Sequence, residues 1–189
     1  MRSPYPMLVF LAVVCAHASA QITNYEAPGN LQARTDLGCL KIAALRNTYT
    51  AADLYRSNAT CVKQDDLESA VYNSALAGVY GRYDSMRVAD QSAHQAQTVL
   101  RLSFANSLTE EQKKQFMVRL SATASDPSGL AKLCGRIREV GPPNYHPTYM
   151  IQHGMGAFAG VNGNGLVSNF ESATAWEKAL DTYLHCPKL

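Results

Sequence analysis

Three histidines are the residues of this sequence best suited to acid–base chemistry, and two of them share one short stretch. Residues 141–158 read GPPNYHPTYMIQHGMGAF and contain His146 and His153. Imidazole titrates near neutral pH, so either side chain could act as a general base. The two lack the i, i+4 spacing that brings two imidazoles onto one metal ion, and we expect no metal site here. In the simpler interpretation, both histidines are hydrogen bonded to nearby backbone.

The third histidine lies in GRYDSMRVADQSAHQ, residues 81–95, where polar side chains recur at helical spacing. Asp84–Arg87 is an i, i+3 pair and Asp90–His94 an i, i+4 pair, each contributing about 0.2–0.5 kcal/mol on an exposed helix flank. This flank could instead meet the 144–155 segment and form a polar cleft suited to a hydrolase. The candidate residues for that cleft are Arg87, Asp90, His94, His146 and His153.

Aromatic residues cluster around the same two stretches and suggest a binding surface as the alternative to catalysis. Tyrosine and arginine are enriched where proteins recognise one another. The candidate binding residues are Tyr80, Tyr83, Arg87, Tyr145 and Tyr149. The sequence contains no G-x-S-x-G, H-E-x-x-H, P-loop or G-x-G-x-x-G motif, so catalysis has no motif to support it.

Apolar residues are spaced at helical intervals through most of the chain, and strand patterns are almost absent. We predict an all-α fold, a compact bundle of six to seven helices with a Gly/Asn-rich loop near 160–166. Capping residues and periodicity place the helices near 35–45, 50–62, 65–80, 84–102, 109–120, 126–140 and 172–185. Helices begin at capping pairs such as Thr109–Gln112, and Asp126–Pro127 combines a cap with proline at the first helical position.

The first twenty residues have the pattern of a cleaved export signal. Arg2 precedes a short apolar run, and the stretch ends in Ala18-Ser19-Ala20, which suits a signal peptidase. We therefore expect export to the periplasm or the cell exterior, with residues 21–189 forming one domain. Lipid attachment at Cys15 is the alternative, although Val13-Val14 lacks the usual small residue before a lipidated cysteine.

Four cysteines follow the predicted signal, and an even number in an exported chain indicates two disulfides. If the first two predicted helices form an antiparallel hairpin, Cys39 and Cys61 lie at similar heights along it. We predict the pairs Cys39–Cys61 and Cys134–Cys186, and two other pairings remain open. With every such thiol in a bridge, no cysteine nucleophile is left.

Charge and composition narrow the possible partners. The chain has 17 basic and 15 acidic residues, a net charge of +2, which gives no strong field for a polyanion such as nucleic acid. No later segment is apolar enough to span a membrane, and no cofactor motif is present. We predict that the protein binds another protein, for example as an immunity protein that blocks a toxin.

Two alternative functions stay open at this stage. One is the hydrolase with the His/Asp/Arg cleft. The other is an envelope adaptor, because residues 51–61 and 66–84 resemble a single tetratricopeptide-like helical hairpin that does not recur along the chain. Asn58-Ala59-Thr60 also matches the N-glycosylation acceptor, which is meaningful only in a eukaryotic source.

Overall fold

The computed structural model describes residues 26–160 and 163–188, so the predicted export signal and Cys15 lie outside the described residues. The all-α prediction is confirmed: the described residues contain eight α-helices and an isolated two-residue β-bridge. The helices are α1 Ala51–Lys63, α2 Leu67–Arg87, α3 Ala96–Asn106, α4 Glu110–Ser125, α5 Pro127–Val140, α6 Thr148–Ile151, α7 Gly156–Ala159 and α8 Ser172–Ala179. Short 3₁₀ turns cover Ile42–Ala44 and Gln91–Gln95, and a π-helical turn, Leu180–Leu184, extends α8.

Helices α1 and α2 form the centre of the bundle. At the start of α1, the Thr50 hydroxyl accepts from the Asp53 amide while the Asp53 carboxylate accepts from the Thr50 amide. Helix α2 is packed on both sides through glycines: a Cβ on Gly78 would overlap the Tyr183 ring, and one on Gly81 would lie 2.8 Å from Gln97. These small residues let α3 and the π-helical turn approach α2 closely.

The predicted helix over 35–45 is wrong, because tertiary hydrogen bonds hold most of this segment in a non-helical path. The Leu40 amide donates to the Ser57 hydroxyl of α1, and the Leu40 carbonyl accepts from the Asn73 amide group of α2. Gly38 adopts a left-handed φ of 56°. Only the 3₁₀ turn Ile42–Ala44 remains of the expected element.

Both predicted disulfides are confirmed. Cys39–Cys61 ties the 35–45 segment to α1, and Cys134–Cys186 ties α5 to the end of the described chain. The geometric reason given for the first pair was wrong, since Cys39 is not on a helix. Each closed loop should add about 3–4 kcal/mol, mainly by restricting the unfolded chain.

The single helix predicted over 84–102 is also wrong, because the chain breaks between α2 and α3. Val88 leaves the helix in an extended conformation and forms the isolated bridge with Leu166. The Ala89 amide donates to the Gly165 carbonyl, and the Val167 amide donates to the Arg87 carbonyl. The part of the predicted Gly/Asn-rich loop that is described is thereby fixed to the end of α2.

The starts of α4 and α5 agree with their predicted caps. Thr109 and Gln112 form the reciprocal capping box of α4, and Asp126 caps α5 with Pro127 in the first turn.

Among the described residues, no helix has both the length and the apolar character needed to cross a membrane.

Candidate functional site

A buried polar cluster joins the end of α2 to the segment that carries His146 and His153. At its centre is Asp84, whose side chain is fully buried. The hydroxyls of Tyr145 and Tyr149 donate to Asp84 Oδ2 at 2.9 and 2.7 Å. Arg87 Nε donates to Oδ1 at 2.8 Å, so both carboxylate oxygens have donors. The cluster therefore fixes the segment after α5 against α2.

Arg87 is held in this cluster by aromatic rings as well as by charge. Its guanidinium carbon lies 5.2 Å from the ring centre of Tyr83 and 5.1 Å from that of Tyr145, which are cation–π distances. Nη2 is 2.7 Å from Asp84 Oδ1, but its N–H groups lack the direction of a hydrogen bond to that oxygen. This second contact is therefore electrostatic.

Burial controls the protonation of the cluster. Removal from water raises the pKa of Asp84, and Arg87 with the two tyrosine hydroxyls opposes part of that shift. Burial, and then the Asp84 charge, raises the pKa of Tyr145 and Tyr149 well above the usual value for a phenol. Both hydroxyls thus stay protonated and remain donors to the carboxylate.

A second carboxylate, Asp90, holds the turn at residues 154–156. Its Oδ2 accepts from the Gly156 amide at 2.7 Å, and its Oδ1 accepts from the amide and the hydroxyl of Ser92. The Ser92 hydroxyl oxygen accepts from the Met155 amide at 2.8 Å. These contacts lower the pKa of Asp90, with the Ser92 side chain as the largest cause and the Gly156 amide next. Two consecutive amides of the turn are therefore bound by side chains.

Glycine is required in this turn by close approach. A Cβ on Gly154 would overlap Asp90 Oδ2 and lie 2.9 Å from the Ala93 side chain, and one on Gly156 would lie 2.9 Å from Asp90 Oδ2. The Gly-Met-Gly sequence thus packs directly on the 3₁₀ turn Gln91–Gln95.

The three candidate histidines have three separate partners. His94 Nε2 donates to the Val88 carbonyl at 2.9 Å, and His146 Nε2 donates to the Asn164 carbonyl at 2.9 Å. His153 Nδ1 donates to the Asn30 side-chain oxygen at 2.9 Å, and burial lowers its pKa. Each imidazole fixes a different piece of chain to the bundle. The end of α2 does meet the 144–156 segment, but through Asp84 and Asp90 rather than through a histidine cleft.

The tyrosines expected to form a binding surface are mostly part of the core. Tyr80 is fully buried and donates to the Gly141 carbonyl; Tyr83 and Tyr149 are also buried. Tyr145 is half-buried, with its hydroxyl on Asp84. Other residues provide the large exposed apolar side chains within residues 26–160 and 163–188: Leu102, Met117, Val118, Met155, Phe158 and Val167.

The sequence identified the Asp84–Arg87 pair and left two positions open for it, an exposed flank or a polar cleft against the 144–155 segment; the structure buries the pair against Tyr145 and Tyr149 of that segment. The available signal was that Tyr145 and Tyr149 lie four residues apart, so two hydroxyls could reach one acceptor, although only Tyr149 is on α6. The possible glycosylation site was visible in the sequence but is inaccessible in the structure. Asn58 is fully buried in α1, so the folded protein has no room for a sugar there.

No group of three or more His, Cys, Asp or Glu side chains suited to a metal ion occurs within residues 26–160 and 163–188. The comparisons add no family: no protein-family model matches the chain, and neither a curated protein nor a solved structure resembles it.

Proposed function

We propose that this protein is a rigid, exported binding protein that recognises another protein through an apolar surface next to the end of α2. This surface, the Met155 surface, consists of Met155, Phe158 and Val167. These three residues are 69 %, 50 % and 37 % exposed. Met155 and Phe158 are three residues apart at the start of α7, a spacing that places them on one face, and exposed apolar patches are typical of protein interfaces.

The observation that carries the proposal is that Met155 is exposed on a backbone held in place. The amides of Met155 and Gly156 are bound by Ser92 and Asp90. Val167 is anchored to the end of α2, since its amide donates to the Arg87 carbonyl. Both segments of the surface are thus anchored to residues 87–92. A surface already ordered before binding loses less entropy when a partner docks.

The flexible, exposed thioether of Met155 suits contact with an apolar partner surface. The two disulfides and the absence of a membrane-spanning helix from the described residues are compatible with export. The most specific form of the proposal is an immunity protein, in which the partner is a toxin from a competing cell.

The roles of the three imidazoles favour this function over a hydrolase. A general base must reach the proton that it removes from a substrate. His94, His146 and His153 hold three different chain segments and share no hydrogen-bond partner among the described residues, and this separation disfavours a common catalytic cleft. An envelope adaptor would need an exposed face on the tetratricopeptide-like hairpin. The corresponding helices, α1 and α2, are central and mostly buried, which favours a binding scaffold over such an adaptor.

The test is capture of a partner from envelope extracts and from competitor secretions, using residues 21–189 with both disulfides formed. Changing Met155 and Phe158 together to Asp should reduce capture more than tenfold, because both apolar contacts become charged. The matched control changes Met117 and Val118 of α4, which are 53 % and 64 % exposed, to Asp. Capture that is lost equally in both double variants, or in neither, contradicts the proposed surface.

A further inference from the structure

We propose a second binding site, for a single-chain anionic amphiphile, in a groove between α1 and α3. The groove has a volume of about 440 Å³. Ligand-binding clefts are commonly about 300–1,000 Å³ and mainly apolar, with a few polar groups that orient the ligand. This site is separate from the Met155 surface and goes beyond the proposed function.

The apolar lining comes from three parts of the chain. One part is Leu31 and Ala33, which precede α1, and the others are on α1 and α3. The main apolar lining residues are Leu31, Ala33, Ala52, Tyr55, Leu100 and Phe104. Tyr55 and Phe104 are stacked on each other, with ring centres 6.4 Å apart. This lining offers an apolar bed for an alkyl chain.

The polarity changes along the groove. Helix α1 lines it from Ala52 to Lys63, a distance of about 16 Å at 1.5 Å per residue. Arg56 lies midway and is paired with Asp36, whereas Lys63 at the far end makes no ion pair with a described residue. None of the described residues that line the groove is acidic. An anionic head group at Lys63 and a tail towards Leu31 match this gradient.

The polar groups of the lining favour an alkyl chain over a peptide. The Thr60 hydroxyl donates to the Arg56 carbonyl, and the Ser107 hydroxyl donates to the Phe104 carbonyl. The backbone amides of α1 and α3 beyond the first turn are used within those helices. A peptide would bring several backbone groups into a groove with few free partners, and leaving such groups unpaired is costly. An alkyl chain has no such groups.

The experiment uses isothermal titration calorimetry with decanoate, decyl phosphate and the uncharged analogue decanol. Both anions should bind with a Kd on the order of 10–100 µM, given the ligand efficiency of small ligands. Tighter binding of one anion distinguishes a carboxylate head group from a phosphate. Decanol should bind at least threefold more weakly because it lacks the charge contact with Lys63. Absence of binding by all three probes, or equal affinity for decanol and the anions, overturns the proposal.

Two variants locate the site. Ala59→Trp fills the groove and should weaken binding of every probe more than tenfold, with circular dichroism confirming that the fold is retained. Lys63→Glu should weaken the binding of both anions at least threefold without changing the affinity for decanol. This variant tests the charge contact alone, because it leaves the volume of the groove open. Lys132→Glu, on α5 and outside the groove, is the matched charge control. If a folded Ala59→Trp variant and the Lys63→Glu variant both bind the probes with unchanged affinity, the ligand does not occupy this groove. This conclusion is independent of the capture experiment on the Met155 surface.

Discussion

Asp84 and Asp90 lie six residues apart and both bind the stretch 145–156 that follows α5, yet their surroundings differ completely. Asp84 is fully buried and receives its hydrogen bonds from side chains, two tyrosine hydroxyls and Arg87. Asp90 is partly exposed and receives backbone amides together with the Ser92 hydroxyl. The buried carboxylate holds elements of the bundle together, whereas the exposed one shapes a turn on its surface.

The difference indicates how stability and recognition are divided along this short stretch. A buried charge without its partner is strongly destabilising, so the Asp84 cluster is tied to the integrity of the fold. An exposed carboxylate has water as an alternative partner, so its loss costs little energy. Its effect is instead on the position of Met155, which belongs to the proposed binding surface.

The largest expected effect is that of Asp84→Asn. The amide places an NH2 group where one carboxylate oxygen accepts, so a buried donor of Arg87, Tyr145 or Tyr149 loses its acceptor, and we expect the free energy of unfolding to fall by about 3 kcal/mol. Urea denaturation with the disulfides intact measures this. The double variant Asp84→Leu with Arg87→Met removes both charges and should be less destabilised than Asp84→Asn. A loss below about 1 kcal/mol for Asp84→Asn would remove the contrast with Asp90.

This contrast also shows what local sequence patterns can predict. The starts of α1, α4 and α5 were predictable, because Thr50, Thr109 and Asp126 make their capping hydrogen bonds within three residues. The apolar spacing was sufficient for the all-α fold, and the even cysteine count predicted two bridges, whereas the hairpin geometry used to choose the Cys39–Cys61 pair was wrong. These features depend on chemistry within one helix or on a small number of possible pairings.

Both wrong helix predictions have the same cause: the segment forms hydrogen bonds with residues far away in the chain. The segment 35–45 is not helical because Ser57 and Asn73 bind the Leu40 backbone, and 84–102 is not one helix because the Val88 region pairs with Leu166. For the same reason, the Asp84–Arg87 spacing was visible but its burial was not. That burial depends on Tyr145 and Tyr149, which are more than sixty residues away in the chain.

The next effect in size is that of Gly154→Ala, which tests whether the Asp90 turn needs close approach. The new Cβ would overlap Asp90 Oδ2. We expect the free energy of unfolding to fall by about 1–3 kcal/mol, as for other overpacked sites, and partner capture to fall with it.

The matched control for that substitution is Gly135→Ala on α5, where a Cβ would meet no heavy atom within 4 Å. Alanine is the better helix former by about 1 kcal/mol, so this variant should be as stable as the parent or more stable. Thermal unfolding followed by circular dichroism measures both variants. Equal behaviour of the two alanine variants would mean that the turn does not depend on contact with Asp90.

The smallest effect is the pH dependence, and it should have opposite signs for the two carboxylates. Burial raises the pKa of Asp84, so the contribution of this group to stability decreases as the pH rises through its folded-state pKa. The contacts of Asp90 lower its pKa below the unfolded value of about 3.9. Its contribution is therefore present above that value and lost as the pH falls through the folded-state pKa.

Asp90→Asn isolates the second of these effects. The parent should be more stable than this variant by about 0.5–1 kcal/mol at pH 6, because an amide is a weaker acceptor than a carboxylate for the Ser92 and Gly156 donors. That advantage should shrink steadily below about pH 4 as Asp90 is protonated. Urea denaturation of both proteins between pH 3 and pH 6 measures the difference. A difference that stays constant over this range would mean that the Asp90 charge does not hold the turn, and that its hydrogen-bonding shape alone is sufficient.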